Sequence, residues 1–479
     1  MYDIAIIGAG VVGGMLAREL SRYKLKICII ERKHDVGMGA TAANSAIVHA
    51  GFDAKEGTLK AKLNVRGSQM MEQVAKELGV SYKRNGSLVV GFNDEDRKTL
   101  AELLVRGQKN GVEGLELLER EQILALEPNI GEDVVCALRA KTGAIICPYG
   151  LCIAAVGNAM DNGAELMLDS EVTAIDTLPD GGFAITINGS ERIDAKFVVN
   201  CAGVYSDEVS KMVGDDSYTV RPRRGEYSVL DKECGGMITH TVFRCPSKMG
   251  KGILVTPTVD GNLLIGPTAE DIYNKEDTAT TTEGSATVRR QAGEQVRGIP
   301  FGKTITSFAG LRATGSTGDF VINSPLRGFI NAGGIESPGL SASPAIAEYI
   351  VGLLAEQGAV LEPDPKFDPI RRPFHYFESL SREEKNALIK ERPEYAHVIC
   401  RCETVTEGEI IDAIRANPKP RDLDGVKRRT RSGMGRCQGG FCSPYIVELL
   451  AREMGRDYTE ITKFGGESYI NIGKTKEGV

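Results

Sequence analysis

Cys400 and Cys402 stand one residue apart, and after thirty-four further residues come Cys437 and Cys442, four residues apart. Thiolates grouped in this way hold iron-sulfur clusters, and such a cluster carries electrons one at a time. Structural zinc is the competing occupant, although zinc sites commonly pair cysteines two residues apart or with histidine, and here the one histidine close in sequence is His397. Thr406 with Glu409 forms a capping-box pattern, and Ser443 with Pro444 an N-cap followed by an N1 proline. Both cysteine pairs are therefore expected just ahead of helix N-termini, whose dipoles stabilise an anionic centre. Lys427, Arg428, Arg429, Arg431 and Arg436 add positive charge nearby. Three readings of this basic run stand open: compensation of cluster charge, a docking face for an acidic redox partner, or a solvated loop.

The other end of the chain carries a different signal. Asp3 to Ile7 reads as a buried strand, Gly8, Gly10 and Gly13 form a G-x-G-x-x-G turn, Val11 to Arg22 has helical periodicity, and Lys26 to Ile30 reads as a second strand. In that context the glycines permit a tight turn, close approach to a pyrophosphate and close helix packing, while Glu31 ends the second strand where a carboxylate binds ribose hydroxyls. The pattern predicts a dinucleotide site, for either FAD or NAD. No second fingerprint of this kind opens another βαβ unit, so reduction of NAD within the chain is not expected. Pro338 and Gly339 precede a helical stretch, Ser343 to Ala355, whose N-terminus would face a reduced flavin with free N–H groups. An ordinary turn opening a surface helix is the plain alternative.

The run Gly37 to Gly51, small and hydroxyl-rich around Thr41, Asn44, Ser45 and His49, resembles the segment that lies along the diphosphate and reaches the flavin in the FAD-dependent D-amino-acid oxidase-like superfamily. That superfamily includes glycerol-3-phosphate and L-2-hydroxyglutarate dehydrogenases. The resemblance spans most of residues 1 to 355 through Ser170 to Ile175, Phe197 to Gly203, Arg224 to Tyr227 and Gly333 to Ala342. It implies FAD contacts at Gly8, Gly10, Gly13, Glu31, Arg32, Thr41, Asn44, Ser45, Val172, Ala202, Gly203, Gly334, Gly339, Leu340 and Ser341. The cysteine segment resembles the bacterioferritin-associated-ferredoxin-like 2Fe-2S domain through Cys400 to Glu403 and Gly433 to Cys442, which implies Cys400, Cys402, Cys437 and Cys442 as iron ligands.

An enzyme of this kind oxidises a secondary alcohol by removing the hydroxyl proton while hydride leaves carbon, a task suited to neutral histidine. Of five histidines, His34 follows the second strand, His375 lies in a linker and His397 sits by the cysteines, which leaves His49 and His240 as candidate bases. His49 is alternatively a point of covalent flavin attachment, as in some relatives, and both histidines have structural alternatives. Arg312 resembles the family position that grips a substrate anion, and guanidinium suits carboxylate and phosphate alike. Arg221, Arg223, Arg224, Arg244 and Lys251 are further cations with the same option. The segment after His49 lacks an arginine common in membrane-associated glycerol-3-phosphate dehydrogenases, and Lys60 with Ala61 and Arg224 to Tyr227 resemble the hydroxyglutarate branch. The appended cysteine domain resembles anaerobic-type glycerol-3-phosphate dehydrogenase catalytic subunits. The expected activity is an FAD-dependent dehydrogenase of sn-glycerol 3-phosphate, with L-2-hydroxyglutarate, an amine or amino acid, and a non-catalytic flavin and cluster sensor as alternatives. Electrons are expected to pass through the cluster to a partner subunit or quinone.

These elements need a scaffold of several domains, and 479 residues supply one. The expected fold class is α/β: a Rossmann-like FAD-binding domain over 1–85, 145–220 and 305–360, an inserted α+β substrate domain roofing the cofactor over 86–144 and 221–304, a linker over 361–390, a small helical 2Fe-2S domain over 391–456, and a tail over 457–479 with one docking strand at Ile470 to Ile472. A net charge of −7 with mixed signs disfavours nucleic-acid binding. Eleven cysteines, mostly scattered within apolar runs, fit a reducing cytoplasm. No apolar run reaches the roughly twenty residues of a membrane span, and the first residues enter a strand instead of a signal peptide. A cytoplasmic location is expected, with peripheral contact at the inner membrane face and oligomerisation left open.

Overall fold

The computed structural model describes residues 1–179, 181–246, 252–374, 376–473 and 476. Lys251 and His375, both weighed above, lie outside the described residues. The first strand, Tyr2–Ile7, runs parallel to Ile27–Ile30 on one side and to the end of Glu191–Asn200 on the other. Glu165–Met167 extends this parallel sheet beyond Ile27–Ile30, and Phe329–Gly333 extends it beyond Glu191–Asn200. An antiparallel pair, Val172–Thr177 and Phe183–Ile187, and the strand Val321–Leu326 complete eight strands. The strand Ile27–Ile30 and the stretches Ile4 to Ile7 and Phe197 to Val199 are apolar and largely buried because helices cover them, as parallel sheets require. Helices Val11–Leu20, Pro148–Asp161 and Gly339–Glu356 share one core with the sheet.

A second sheet of nine strands stands over the carboxyl ends of the first. Its long members, Val220–Leu230 and Thr304–Gly315, pair antiparallel along almost their full length. The expected boundary at 305 is thereby corrected. Residues 304–315 belong to the roofing sheet, because twelve residues of extended chain find their ladder partners there and not in the parallel sheet. Arg312 consequently approaches the cofactor side from the roof.

The C-terminal unit packs helices Glu407–Arg415, Leu423–Thr430 and Ser443–Met454 around Ile410, Ile414, Val426, Ile446 and Leu450. Its core includes Ile461, so the packed unit continues past the expected limit at 456. The tail forms a bridge between Thr462 and Tyr469, not a strand at Ile470 to Ile472, and Ile472 is exposed. The linker runs along the back of the dinucleotide domain: Lys24 N–H donates to Glu362 O, Asp364 N–H to Arg22 O and Arg371 N–H to Glu77 O. It also holds a helix, Arg382–Glu391, opened by a capping box of Ser381 and Glu384. Among the described residues no helix is long and apolar enough to cross a membrane.

The basic run named above is the interface that docks this unit. Arg429 and Arg428 close on Asp35 of the dinucleotide domain, with Arg429 Nη2 2.9 Å and Arg428 Nη2 2.7 Å from the carboxylate. Arg431 reaches Glu403 at 2.8 Å and Asp260 of the roof at 2.6 Å, and Arg436 meets Asp231 and Glu233. Arg428, Arg429 and Arg431 are thus neither solvated charges nor a free docking face, whereas Arg436 makes its two ion pairs at the exposed rim. Asp35 and Arg429 are almost fully buried. Burial by itself would raise the Asp35 carboxyl, but the guanidinium charges of Arg429 and then Arg428 outweigh it and hold the group well below the usual carboxylate range.

Replacing Asp35 with alanine leaves Arg429 buried without its anion, which costs about 3–5 kcal/mol. The expected result is earlier loosening of the C-terminal unit in urea and faster proteolysis of the linker. Because the folded carboxyl titrates below the unfolded one, its stabilisation is present above the unfolded value of about 4 and is lost as pH falls through the folded value. Cluster-unit docking in the unsubstituted chain should therefore persist through mild acid, as read by the same proteolysis assay.

Candidate active site and cluster centre

A cleft of about 1700 Å³ opens between the two sheets. Typical small-molecule pockets are roughly 300–1,000 Å³, so it has room for a large cofactor together with a substrate. One end begins at the glycine turn. A Cβ on Gly8 would lie 2.5 Å from Cys201 O, and one on Gly13 would lie 2.0 Å from Gly8 O, so strand, turn and helix approach each other more closely than any side chain permits. Gly8 and Gly10 line the cleft, while Gly13 lies beneath it as a packing contact. Thr41 Oγ1 accepts a hydrogen bond from Val11 N–H at 3.0 Å, at the N-terminus of Val11–Leu20.

Glu31 ends the second strand and lines the cleft, its carboxylate accepting from Ala9 N–H at 2.8 Å and Lys33 N–H at 2.9 Å. Burial raises its carboxyl against these two hydrogen bonds. Arg32, Val172, Ala202 and Gly203 line the same end. Asn44 spends its side chain on its own loop, donating to Ala40 O and Thr41 O and accepting from Ala46 N–H. Ser45 Oγ is 3.0 Å from Tyr227 OH, and Tyr227 stacks on Phe308.

At the other end, helix Gly339–Glu356 presents Gly339 and Leu340 to the cleft. Ser341 sits behind them, accepting from His49 N–H at 2.7 Å and donating to Ile47 O. Gly334 packs against Gly315 outside the cleft lining. His49 is half-buried in the lining, with Phe243 at 5.7 Å between ring centroids and Ser337 Oγ 3.5 Å from Nε2. Ser337 also lines the cleft and escaped the sequence reading; its place one residue before Pro338, at the mouth of that helix, was the available signal.

His240 is not brought to the cleft. It precedes the strand Thr241–Arg244, and Glu127 accepts from its backbone N–H and stands 2.6 Å from its Nδ1. Glu127 is itself buried and also takes Thr239 N–H, so this pair pins the back of the roofing sheet. The expectation of a second catalytic histidine is corrected on that geometry. Arg312 does line the cleft, donating to Thr268 O at 3.2 Å. Other cations along the cleft are neutralised: Arg223 by Asp271, Arg224 by Glu270 and Asp277, Arg244 and Arg290 by Glu294, Arg32 and Lys33 by Glu276, and Lys275 by Asp207 and Glu208. Among the described residues Arg312 makes no ion pair. Arg221 lies over the ring of Tyr273.

In the C-terminal unit the four cysteines converge as two pairs. Cys402 Sγ donates to Cys437 Sγ at 3.6 Å. Cys400 and Cys442 form the other pair, and the hydrogen bond from Cys442 pulls the Cys400 thiol down to about 6 while raising its partner. Thr406 caps Glu407–Arg415 with Glu409, and Cys442 is the residue before Ser443–Met454. Two pairs of thiols, with Cys442 at a helix N-terminus, suit a centre with two metal ions, each taking two sulfurs. Cys402 is exposed, whereas Cys400 and Cys442 are buried.

The FAD dependent oxidoreductase family (DAO) matches residues 3–353, and the BFD-like 2Fe-2S binding domain matches residues 398–452. A protein of Caloramator mitchellensis named glycerol 3-phosphate dehydrogenase is 49% identical over 481 residues, covering 100% of both chains. A glycerol 3-phosphate oxidase of Mycoplasma pneumoniae is 33% identical over 74% of this chain and 94% of its own length. The solved structure of dithionite-reduced L-alpha-glycerophosphate oxidase from Mycoplasma pneumoniae, with FAD bound, superimposes with a TM-score of 0.74 at 31% identity, covering 78% of this chain and 98% of that one. The cleft with its glycine turn fits FAD, and the paired thiols fit the cluster. The chain thus belongs to the FAD dependent oxidoreductase family and joins to that flavoenzyme fold a 2Fe-2S domain of the BFD-like kind.

Proposed function

We propose that this enzyme oxidises sn-glycerol 3-phosphate to dihydroxyacetone phosphate and passes the electrons through the cluster to a partner protein or quinone. The observation that carries the reading is the pairing, on one cleft, of a histidine with an arginine that makes no ion pair among the described residues while its neighbours are neutralised. Support for the phosphate ester over a hydroxy acid comes from the full-length relative and from the oxidase structure, each named for that substrate.

Arg312 holds the anionic end of the substrate from the roof, where its planar fork gives two parallel charge-assisted hydrogen bonds. That anchor places the secondary hydroxyl toward His49. His49 Nε2 takes the hydroxyl proton, the substrate hydroxyl replacing the long 3.5 Å contact of Ser337 Oγ at that nitrogen. Ser341 fixes the His49 backbone from behind. Bound FAD supplies the two-electron acceptor for the hydrogen leaving carbon, and the cluster supplies one-electron steps onward. Gly8, Gly10, Glu31, Arg32, Thr41, Val172, Ala202, Gly203, Gly339 and Leu340 would hold the dinucleotide, and Cys400, Cys402, Cys437 and Cys442 the iron. The exposed edge at Cys402 is the exit for electrons.

Anaerobic addition of glycerol 3-phosphate should bleach the flavin band, while L-2-hydroxyglutarate and amines should not; bleaching by one of those alone would overturn the substrate assignment. His49→Ala should lower the bleaching rate by about 10²–10⁴-fold with FAD content unchanged. Arg312→Ala should raise KM by roughly 10–100-fold, from the loss of a charged hydrogen-bond partner worth about 1.5–3 kcal/mol, with Arg312→Lys in between. Cys402→Ser should keep substrate-driven bleaching, lose the cluster's paramagnetic signal and abolish turnover with a one-electron acceptor.

A further inference from the structure

The connection between strand Glu270–Asp271 and helix Thr282–Gln295 leaves the roof and crosses to the dinucleotide domain. Both of its feet are tied down. At the first, Ile272 N–H donates to Pro222 O at 3.0 Å; at the second, Glu226, a buried carboxylate, accepts from Thr281 N–H at 2.7 Å and Thr281 Oγ1 at 2.9 Å, and Arg224 holds Asp277 at 2.8 Å. At its tip two adjacent residues of opposite charge make opposite bonds. Lys275 Nζ lies 2.8 Å from Asp207 and 2.7 Å from Glu208. The Glu276 carboxylate takes Arg32 and the Tyr205 hydroxyl on one oxygen and Lys33, at 3.3 Å, on the other. Arg32 lies 3.8 Å over the Tyr205 ring, which fixes the guanidinium under the carboxylate. Asn274 Oδ1 accepts from Glu276 N–H at 2.9 Å, so the turn is held in shape from within.

Arg32, Lys33, Tyr205, Glu208, Lys275 and Glu276 all line the cleft, at the end where Glu31 stands. On the reading that Glu31 receives the adenosine ribose, the connection bridges the two walls over that part of the cofactor. We propose that Lys275 and Glu276 form an electrostatic clasp across the adenosine end of the FAD site, whose opening governs release of the cofactor. A one-residue slip of the tip in one direction sets Lys275 against Arg32 and Lys33, and in the other sets Glu276 against Asp207 and Glu208, so the alternating charges admit a single closed register. Burial works against ionisation of Glu276, and the hydrogen bonds from Tyr205 and Arg32 outweigh it, which brings the carboxyl down to about 2 and keeps the clasp charged across the physiological range. The role of Glu276 and Lys275 is positioning: they hold the walls together and take no part in the oxidation.

The test is the rate at which the full-length holoprotein loses FAD on dilution, followed by the recovery of free-flavin fluorescence. Glu276→Gln should speed release about tenfold, and Tyr205→Phe with Glu276→Gln should be no faster than the single change, because both break one contact. In the unsubstituted protein molar salt should accelerate release toward the rate of the variant, whereas the variant should respond little. Lys275→Ala provides an independent opening should Glu276→Gln fail to fold, and the salt response needs no substitution. Unchanged or slower release in Glu276→Gln and Lys275→Ala, or a salt-independent rate in the unsubstituted chain, overturns the clasp. An unsubstituted protein that neither carries nor takes up FAD overturns the cofactor-site reading on which the clasp rests, and the clasp with it.

Discussion

The close approach of backbone to backbone at the first glycine turn is the constraint on which the rest of the molecule depends. Gly8 lies against Cys201 O and Gly13 against Gly8 O, at separations that leave no room for a Cβ. That contact draws the N-terminus of Val11–Leu20 down onto the carboxyl ends of the central strands, and one cleft then receives the helix dipole, Glu31 and the loop through Thr41. The roofing sheet, the helix at Gly339 and the clasp loop are all arranged around the space this contact opens.

Charge placement organises the remainder. The chain carries a modest net charge, and the structure shows cations and carboxylates matched in detail where domains meet. Arg431 is the clearest case. Its backbone adopts a left-handed conformation at the end of Leu423–Thr430, and its side chain touches Glu403, which follows Cys402, together with Asp260 and Asn262 of the roof. One arginine therefore joins the cysteine loop to the sheet that covers the cleft. A buried charge of this kind tolerates little displacement, since removing either partner strands the other in a poorly solvating interior. The C-terminal unit is thus seated against the dinucleotide domain and the roof by specific ionic contacts.

Much of this organisation could be read before folding is considered. Glycine spacing between two apolar strands has few structural meanings, and Thr406 with Glu409, like Ser443 with Pro444, announces a helix start through local hydrogen bonding alone. Other features depend on partners distant in sequence. Thr304–Gly315 joins the roof because Val220–Leu230 offers it a ladder partner, a fact that no local pattern encodes. His240 has the side chain of a base, yet Glu127, more than a hundred residues earlier, claims its ring nitrogen. The basic run around Arg428 reads as a charged loop until Asp35, from the opposite end of the chain, is found buried against it.

By itself the sequence determined a dinucleotide site, the element types around it and four clustered cysteines, because each depends on residue chemistry at short spacing, and its family resemblance narrowed these to FAD and a 2Fe-2S cluster. Only the tertiary structure decided which histidine faces the cleft, that among the described residues Arg312 makes no ion pair there while neighbouring cations are neutralised, and that the loop at Lys275 and Glu276 spans both walls. The physical reason is common to all three. A side chain's charge state and availability are set by what lies within a few ångströms of it, and in this fold those neighbours come from segments tens to hundreds of residues away.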